Sequence, residues 1–256
     1  MFTMAEPILL LGISGPSSSG KTTLSRLLRD VFPPHQLTLL HLDDFYLTDA
    51  EIPFQNGIQD WDCIESLNLP QLQRTLVYIK EHGKSPPDFV SKEDQNSVGE
   101  HGVSQGMVEK ARERIHTAIE EKGWKRRICV VDGFLLFSEE MKEVRELFDV
   151  KIFLRTTYTT AKRRREARSG YVTLEGFWED PPGYVDKVVW PNYVQDHKFL
   201  FVDEDVEGEL QETVCRRVGV EAMPRDAEEN MGKCLEWAVG VLEKVIRSAP
   251  NESPKS

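Results

Sequence analysis

Residues 12 to 28, GISGPSSSGKTTLSRLL, combine residue types and a spacing suited to holding a chain of phosphates. The pattern G-x-x-x-x-G-K-[ST] is matched by Gly15, Gly20, Lys21 and Thr22. Its glycines let backbone N–H groups turn inward around an anion, its lysine reaches the terminal phosphates, and its threonine hydroxyl can bind Mg²⁺. The other residues expected to bind the nucleotide are Ser17, Ser18, Ser19 and Thr23. The stretch predicts nucleotide binding and leaves the phosphate acceptor open.

Carboxylates follow two predicted strands, where they could serve a metal ion and an acceptor hydroxyl. Asp43 and Asp44 come after QLTLLHL, and because adjacent side chains point in different directions we expect one of them to face the site. Phosphoryl transfer needs an acid to receive the proton of the acceptor. Asp132 ends the run ICVV and fits an acid that helps to hold Mg²⁺. A turn-forming Asp pair and an ordinary strand-terminal Asp are the structural alternatives.

Trp61 and Asp62, in NGIQDWDCIES, place an aromatic ring beside an acid. The pair could bind an acceptor molecule. Asp62 followed by Glu65 also matches a helix capping box, in which the acid serves only the helix end. The spacing leaves ligand contact and helix cap equally open.

A basic helix, AKRRREAR, is a second candidate for binding phosphates. Arg164 and Arg168 share one face of this predicted helix, and Arg165 lies one residue away from it. The cluster could clamp phosphates while a flap over 170–183 closes and excludes water. A solvated face, a nuclear-localisation patch and an RNA contact are the alternatives. Phosphate clamping is favoured because the chain is acidic and already has a nucleotide site.

Alternating strands and helices must position these residues, and they predict an α/β fold with a parallel sheet and helices on both faces. Ligands bind such sheets at the carboxyl ends of the strands, where the glycine loop, Asp43, Asp44 and Asp132 would meet. The expected strands are PILLLGIS, QLTLLHL, RRICVVD, DVKIFLRT and HKFLFVDED. The expected helices are KTTLSRLLRDVF, CIESLNLPQLQRTLVYIKEHG interrupted or started near Pro70, MVEKARERIHTAIEEKG, MKEVRELF, YTTAKRRREARSG closed by Gly170, and NMGKCLEWAVGVLEKVIRS.

Composition narrows the classes of function. A formal charge of −11 over 256 residues argues against a nucleic-acid partner held through its phosphates and favours a small-molecule substrate. The four cysteines are widely spaced without C-x-x-C, so neither a zinc site nor a redox pair is indicated. The sequence has no apolar run of membrane-spanning length and no signal-like start, so we expect no membrane partner and a cytoplasmic location. Monomer and homodimer both remain open.

Seven motifs together resemble the nicotinamide riboside kinases, within the uridine kinase-like group of P-loop kinases, and some have the form of the fungal branch. In order they are GISGPSSSGKTTL, LDDFY, IQDWD, VVDGFLLF, KRRREARSGY, FWEDPPGY and LFVDEDVEG. The resemblance implies a P-loop kinase fold of about five parallel strands with a small lid. It also implies transfer of the γ-phosphate of ATP, with Mg²⁺, to the ribose 5′-hydroxyl of nicotinamide riboside, with nicotinic acid riboside as a further acceptor, in NAD salvage.

The resemblance also implies the division of the chain. It predicts a nucleoside kinase domain over 1–225, with a surface insertion at 84–106 that is rich in Pro, Gly and Ser. The basic helix and lid occupy 158–183. A C-terminal helix and a disordered tail follow at 226–256. Neither the insertion nor the part beyond 225 has a counterpart in the shorter relatives.

Residue by residue, the resemblance assigns the acceptor and metal sites. Asp43 matches the acid that takes the proton and lies near Mg²⁺, and with Lys21 it forms the predicted catalytic pair. Thr22 and Asp132 complete the metal set, although some relatives carry Glu where Asp132 stands, so that water could lie between carboxylate and metal. Trp61, with the acid after it, matches the groups that hold the nicotinamide ring and the ribose hydroxyls, and an aromatic face suits a cationic pyridinium.

The remaining matches concern the lid and the nucleotide. Arg165 matches a substrate contact, Tyr171 a second aromatic at the substrate ring, and Arg164 and Arg168 contacts to ATP phosphates. The segment expected at the adenine is Asp205, Val206 and Glu207. The other expected substrate contacts are Asp44, Phe45, Tyr46, Asp62, Val172 and Asp180.

Two competing functions share parts of this pattern. A uridine or cytidine kinase would use the same scaffold with a different base pocket, and aromatics at Trp61 and Tyr171 discriminate against it only weakly. A nucleotide-dependent switch would need no small acceptor, but the guanine-recognising tetrapeptide N-K-x-D is absent from the sequence.

Overall fold

The apolar runs of the sequence form a parallel sheet of five strands, which confirms the predicted α/β fold. The computed structural model describes residues 8–91, 101–168, 170–172 and 176–250. Their strands are β1 (Ile8–Ser14), β2 (Leu37–His41), β3 (Phe54–Gln55), β4 (Ile58–Gln59), β5 (Arg127–Gly133), β6 (Val150–Phe153), β7 (Tyr171–Val172), β8 (Phe177–Trp178) and β9 (Val220–Ala222). The parallel sheet has the order β2-β5-β1-β6-β9, and β3-β4 and β7-β8 are separate antiparallel pairs.

The register of the sheet brings the predicted site to one edge. Asp132 of β5 lies opposite Ile13 of β1 on one side and His41 of β2 on the other. The strands run parallel, so the glycine loop after β1 and the acids after β2 emerge at the same carboxyl edge. The order of the strands therefore brings the glycine loop, the acids after β2 and Asp132 to one edge of the sheet, as predicted.

Helices cover both faces of the sheet, as predicted. They are α1 (Lys21–Val31), α2 (Leu69–His82), α3 (Gln105–Lys122), α4 (Lys142–Arg145), α5 (Tyr158–Glu166), α6 (Trp190–His197), α7 (Glu212–Val218) and α8 (Met231–Ser248). Alternate residues of β1 belong to different core layers: Leu9 and Leu11 pack in the layer of α1, α3 and α8, whereas Ile8 and Leu10 pack in the layer of α2. The C-terminal helix α8 thus contributes to the main core.

Helix boundaries follow local signals in the sequence. The Asn68 side chain accepts the Gln71 N–H at the start of α2, where Pro70 occupies the first turn, and Gly83 ends the helix in the left-handed region at φ 67°. The Ser104 side chain caps α3 by accepting the Met107 N–H. The predicted start near Pro70 is confirmed.

The prediction of a last strand at HKFLFVDED is wrong. The segment forms short 3₁₀ turns at Lys198–Leu200 and Val202–Glu204, because the chain turns back at Asp203 and Glu204, whose φ angles are 52° and 58°. The fifth strand is β9, whose three residues are too few to show a period. Its flanking helix α7, and α6 with the π-helical turn Val185–Val189 before it, were not predicted.

Two predicted helices are shorter than expected. MKEVRELF gives only the four residues of α4. The basic helix α5 ends at Glu166 and is not closed by Gly170, because the chain must turn earlier to enter the pair β7-β8. Arg168 therefore lies beyond the helix and cannot share a helical face with Arg164. Residue 169, and residues 173–175 of the predicted flap, lie outside the described residues.

The predicted surface insertion at 84–106 stays a prediction. Residues 92–100 lie outside the described part of the chain. Val103 is buried in the core at 8% exposure, and Gln105 and Gly106 already belong to α3. The tail from 251 onward, predicted to be disordered, also lies outside the described residues.

Across the described residues, no helix combines the length and the apolar character needed to cross a membrane. All four cysteines are free thiols.

Candidate active site

The glycine loop connects β1 to α1 in a conformation that its glycines make possible. Gly15 and Gly20 have φ angles of 144° and 97°, in the region that favours glycine. A Cβ atom at Gly15 would lie 2.4 Å from the backbone oxygen of Leu154, so a side chain there would collide with the strand-end backbone. The positions predicted from the motif are therefore required by sterics as well as by pattern.

The polar groups of this loop suit an anion. The hydroxyl oxygens of Ser18 and Ser19 are buried, and among the described residues they have no hydrogen-bond partner. The Lys21 ammonium donates to the carbonyl oxygens of Gly15 and Pro16 at 3.0 and 2.8 Å. Burial lowers the pKa of Lys21 to about 8, although Asp132 and Asp43 act to raise it. An added phosphate would satisfy the hydroxyls and favour the charged lysine.

Thr22 and Asp132 meet as the motif predicts. The Thr22 hydroxyl donates to Asp132 Oδ1 at 3.2 Å, and His41 Nδ1 lies 3.0 Å from Asp132 Oδ2. Hydroxyl and carboxylate oxygens are the donors that Mg²⁺ takes, usually with water and substrate phosphates completing the shell. No group of three or more His, Cys, Asp or Glu that could hold a metal occurs in the described part of the chain. Sequence reasoning missed His41, whose position at a strand end was the available signal.

Asp43 and Asp44 lie on a 3₁₀ turn, Leu42–Phe45, directly after β2. We call this turn the catalytic loop. Asp43 acts to raise the pKa of both Lys21 and Tyr46, so its carboxylate lies within electrostatic reach of the glycine-loop lysine and of the Tyr46 ring. Phe45 anchors the turn in the core with 1% exposure. The proposed base is thus held at the junction of the nucleotide and acceptor regions.

Asp62 is not a helix cap. Its two carboxylate oxygens accept from Arg165 Nη1 and Nη2 at 2.7 and 2.9 Å, and both side chains are buried. The following 3₁₀ turn, Ile64–Ser66, starts from Cys63 with no side-chain cap. The loop is fixed from behind by Asp60, whose carboxylate accepts the Asp62 N–H at 3.0 Å and the side-chain amide of Asn192 at 2.9 and 3.0 Å. The structure therefore contradicts the capping-box alternative.

Arg165 joins three parts of the site. Besides Asp62 it donates to the Ser17 hydroxyl of the glycine loop at 2.9 Å and to Asp180 of the lid at 2.6 Å. Its guanidinium lies between the rings of Tyr171 and Tyr184, at 5.1 and 5.3 Å from their centroids. Burial alone would lower its pKa, but Asp62 and the other neighbours raise it well above the ordinary value. Arg165 is therefore a charged, buried link and not a solvated face.

The other two arginines lie on the nucleotide side. Arg164 Nη1 donates to the backbone oxygen of Ser18 at 3.3 Å, which places its charge at the glycine loop. Arg168 Nη1 donates to the Tyr171 hydroxyl at 3.0 Å and acts to lower the pKa of Lys21. Both cations are near the loop despite the early end of α5, so phosphate clamping stays a prediction for both.

The aromatic groups are arranged differently from the predicted pair. Trp61 is buried, with Tyr46 edge-on at 5.3 Å and Trp178 tilted at 5.6 Å between ring centroids. Tyr171 packs over Arg165 and Arg168. Trp178 donates its Nε1–H to Asp180, so the lid strand β8 meets both Trp61 and the Arg165 network. Sequence reasoning gave Trp178 no role, although it stands in the motif FWEDPP. Val172 follows Tyr171 in β7.

The segment predicted at the adenine has structural contacts of its own. Val206 is buried in the core. Glu207 accepts the N–H of Tyr158 at 2.9 Å, an acid at the first residue of α5 where the helix dipole favours it. Asp205 accepts the Glu207 N–H at 3.0 Å and closes the turn. An adenine contact by this segment stays a prediction.

No protein-family model matches the chain, but similarity to curated proteins is extensive. The nicotinamide riboside kinase of Schizosaccharomyces pombe is 43% identical over 208 residues, which cover 81% of this chain and 86% of that protein. The chain belongs to the nicotinamide riboside kinase family. The nicotinamide riboside kinase of Saccharomyces cerevisiae is 31% identical and aligns with 95% of this chain and 99% of its own. That of Eremothecium gossypii is 38% identical over 79% of this chain and 81% of its own length.

The arrangement of a glycine loop beside acidic residues is consistent with membership of this family. Nicotinamide riboside kinases are ATP-dependent phosphotransferases, a class that needs a triphosphate cradle beside an acid. The S. cerevisiae alignment covers 95% of this chain and so extends past residue 225 into α8. Among solved structures, a possible uridine kinase from Bacillus stearothermophilus aligns with 63% of this chain and 77% of its own at 18% identity and a TM-score of 0.38. A similarity this low says nothing about function.

Proposed function

We propose that this chain transfers the γ-phosphate of ATP to the ribose 5′-hydroxyl of nicotinamide riboside, giving nicotinamide mononucleotide. The observation that carries the proposal is the Arg165 network, in which the acceptor-side Asp62 and the glycine-loop Ser17 are bonded to one guanidinium. This single buried cation ties the donor and acceptor regions within hydrogen-bond distance of one another. Nicotinic acid riboside, which shares the ribose, is the second acceptor.

The glycine loop binds the phosphates of ATP. Backbone N–H groups and the hydroxyls of Ser18 and Ser19 surround the phosphates, and Lys21 balances the charge that spreads over the γ-phosphoryl oxygens. Thr22 and Asp132, which meet at 3.2 Å, would hold Mg²⁺ with its waters, and Asp43 is the third proposed ligand. When bound, Mg²⁺ neutralises charge on the β- and γ-phosphates. Arg164 and Arg168 add positive charge from the lid side.

Asp43 is the proton acceptor. As the bond between the ribose 5′-oxygen and the γ-phosphorus forms, the bond from that phosphorus to the bridging oxygen breaks and ADP leaves. The hydroxyl proton passes to the Asp43 carboxylate, which must lie within hydrogen-bond distance of it. Lys21 lies within electrostatic reach of that carboxylate, since Asp43 acts to raise the pKa of Lys21.

The riboside is bound by Asp62 and by the aromatic side chains around Trp61. The face of Trp61 suits the cationic pyridinium ring, and Tyr171 of the lid is its proposed second aromatic contact. Asp62, held in place by Arg165, accepts hydrogen bonds from ribose hydroxyls. Tyr46 and Trp178 border Trp61 and limit the shape of the ring pocket.

The experiment is an ADP-release assay with ATP and Mg²⁺, in which nicotinamide riboside, nicotinic acid riboside, uridine and cytidine are offered separately. Release with the two pyridine ribosides and little with the pyrimidines is the expected result. Release mainly with uridine or cytidine would assign a pyrimidine nucleoside kinase on the same scaffold. ADP release that is equal with and without any riboside would indicate a nucleotide-dependent switch instead.

A further inference from the structure

The first part of the insertion returns to the active site. Residues 84–91, which we call the proximal segment, follow α2 after the left-handed turn at Gly83. The Phe89 N–H donates to the Pro86 oxygen at 3.1 Å, which bends the segment. Val90 is 72% exposed, whereas Phe89 packs against the core cluster that contains α2. The segment is therefore seated on the protein through particular side chains and is not a free surface excursion.

Its contacts fall on the catalytic loop. The Phe89 ring stacks on Phe45 with centroids 5.7 Å apart and planes at 20°. The Ser91 hydroxyl donates to Asp44 Oδ2 at 2.8 Å. Phe45 and Asp44 are consecutive residues and directly follow Asp43, the proposed base. Two side chains of the proximal segment thus hold two adjacent side chains of the catalytic loop.

Two backbone hydrogen bonds hold the chain on the other side of the catalytic loop. The Asn68 N–H donates to the Phe45 oxygen at 2.7 Å, and the Leu47 N–H donates to the Ser66 oxygen at 2.9 Å. These bonds fix the chain after the acids. They leave the directions of the carboxylates to side-chain contacts, in a single 3₁₀ turn whose own hydrogen-bond geometry is poor. A donor to Asp44 therefore has more influence here than it would on a regular helix.

We propose that Ser91 is a positioning residue: by holding Asp44, with Phe89 packed on Phe45, it fixes the catalytic loop and hence the direction of the Asp43 carboxylate. This gives the first part of the insertion a task in catalysis without contact with the reacting atoms. The inference rests on the proposed function for the role of Asp43, but the contacts with Asp44 and Phe45 exist independently of the acceptor.

Kinetics of the full-length chain give the first test. Ser91→Ala is expected to lower kcat about tenfold and to leave the KM for ATP within twofold, because a small misplacement of the base slows the chemistry while the glycine loop is intact. Ser91→Thr, which keeps the hydroxyl, should restore most of the rate. Val90→Ala, at the exposed neighbouring position, is the matched control and should behave like the wild type. An unchanged kcat in Ser91→Ala would overturn the proposal, as would an equal loss in Val90→Ala.

A second test does not depend on activity and separates this inference from the proposed function. Amide hydrogen exchange, followed by mass spectrometry of peptides covering 40–47, should be severalfold faster in Ser91→Ala than in the wild type or in Val90→Ala. Exchange elsewhere in the chain should be unchanged. Equal exchange at 40–47 in all three proteins would overturn the positioning role whichever riboside is phosphorylated. Faster exchange in a protein that phosphorylates no riboside would leave the positioning role standing and remove the proposed function.

Discussion

At the scale of single residues, the site is built from carboxylates whose orientation is set by particular donors. Asp132 lies between the Thr22 hydroxyl and His41 Nδ1, and Asp62 faces the two terminal nitrogens of Arg165. A carboxylate held on both oxygens has little freedom to rotate, so the direction of its lone pairs is fixed before a ligand binds. The proposed chemistry depends on these orientations.

Asp43→Asn tests the proposed base. The amide keeps the size of the side chain but cannot take a proton, so kcat should fall by about 10²–10⁴-fold while ATP still binds the glycine loop. Single-turnover phosphoryl transfer and equilibrium binding of ATP measure the two effects. Asp88→Asn, at an exposed acid of the insertion, is the control and should keep the wild-type rate. Full turnover in Asp43→Asn would remove Asp43 from the mechanism.

His41→Phe tests the support of the proposed metal site. Without the Nδ1 contact Asp132 keeps only its hydrogen bond from Thr22 among the contacts described above, and loss of such a partner weakens metal binding by about 10- to 100-fold. The Mg²⁺ concentration that gives half-maximal activity should therefore rise, with activity recovered at high Mg²⁺. The exposed His35, replaced by Asn, is the comparison. A lowered rate that no Mg²⁺ concentration restores would contradict this account.

The residues that the sequence predicted best are those whose neighbours follow from strand order. Thr22 and Asp132 could be paired from the sequence because each follows a parallel strand of the same sheet. The pairing of Asp62 with Arg165 could not, because Asp62 lies in a loop and Arg165 on a helix, so the order of the sheet strands does not bring them together. The same is true of His41, since a histidine at a strand end has no partner that spacing reveals.

At the scale of secondary-structure elements, α6 carries a buried histidine beneath the site. His197 is fully buried, its Nδ1 lies 3.1 Å from the Tyr193 oxygen, and its ring packs on Phe153. Burial lowers the pKa of His197 from 6.5 to about 4, so the ring is neutral in the folded protein at neutral pH.

His197 should make stability depend on pH. Because its folded pKa is depressed, the unfolded chain binds the proton more readily, and the contribution is present above pH 6.5 and lost as the pH falls toward 4. The loss amounts to about 3 kcal/mol from this group. Denaturant unfolding of the wild type and of His197→Phe between these pH values measures the loss. On acidification the free energy of unfolding of the wild type should fall relative to that of the variant, because only the wild type carries the histidine. A difference that stays constant would contradict the assignment.

Elements were predictable in proportion to their length and periodicity. The long helices α2, α3 and α8 and the buried strands around the glycine loop have caps or apolar runs that the sequence shows plainly. The three-residue strand β9 has no detectable period, and HKFLFVDED alternates like a strand although positive φ angles at Asp203 and Glu204 turn it back. Local pattern cannot reveal which short segment fills the edge of a sheet.

At the scale of the whole molecule, α8 is continuous with the kinase core. Leu235, Val239 and Leu242 are buried in the same cluster as residues of β1, α1 and α3. The predicted boundary at 225 would divide this cluster.

Leu242→Ala tests whether the C-terminal helix is part of the cooperative unit. Deleting a side chain that is 1% exposed should cost about 2–5 kcal/mol in the free energy of unfolding and shift the whole transition. Glu236→Ala, on the exposed face of α8, should change it by less than about 0.5 kcal/mol. Urea denaturation followed by both fluorescence and activity measures the effect. A separate early transition, with activity retained, would show that 226–256 is an appendage.

The most direct test of the central claim is the identity of the product and the position of its phosphate. The purified chain should be incubated with Mg²⁺, nicotinamide riboside and ATP labelled in the γ-phosphate, and the product examined by mass spectrometry and by phosphorus–proton NMR coupling. The account predicts labelled nicotinamide mononucleotide with phosphorus coupled to the ribose 5′ protons, and its loss in Asp43→Asn. Label on another hydroxyl, or in inorganic phosphate alone, would contradict it.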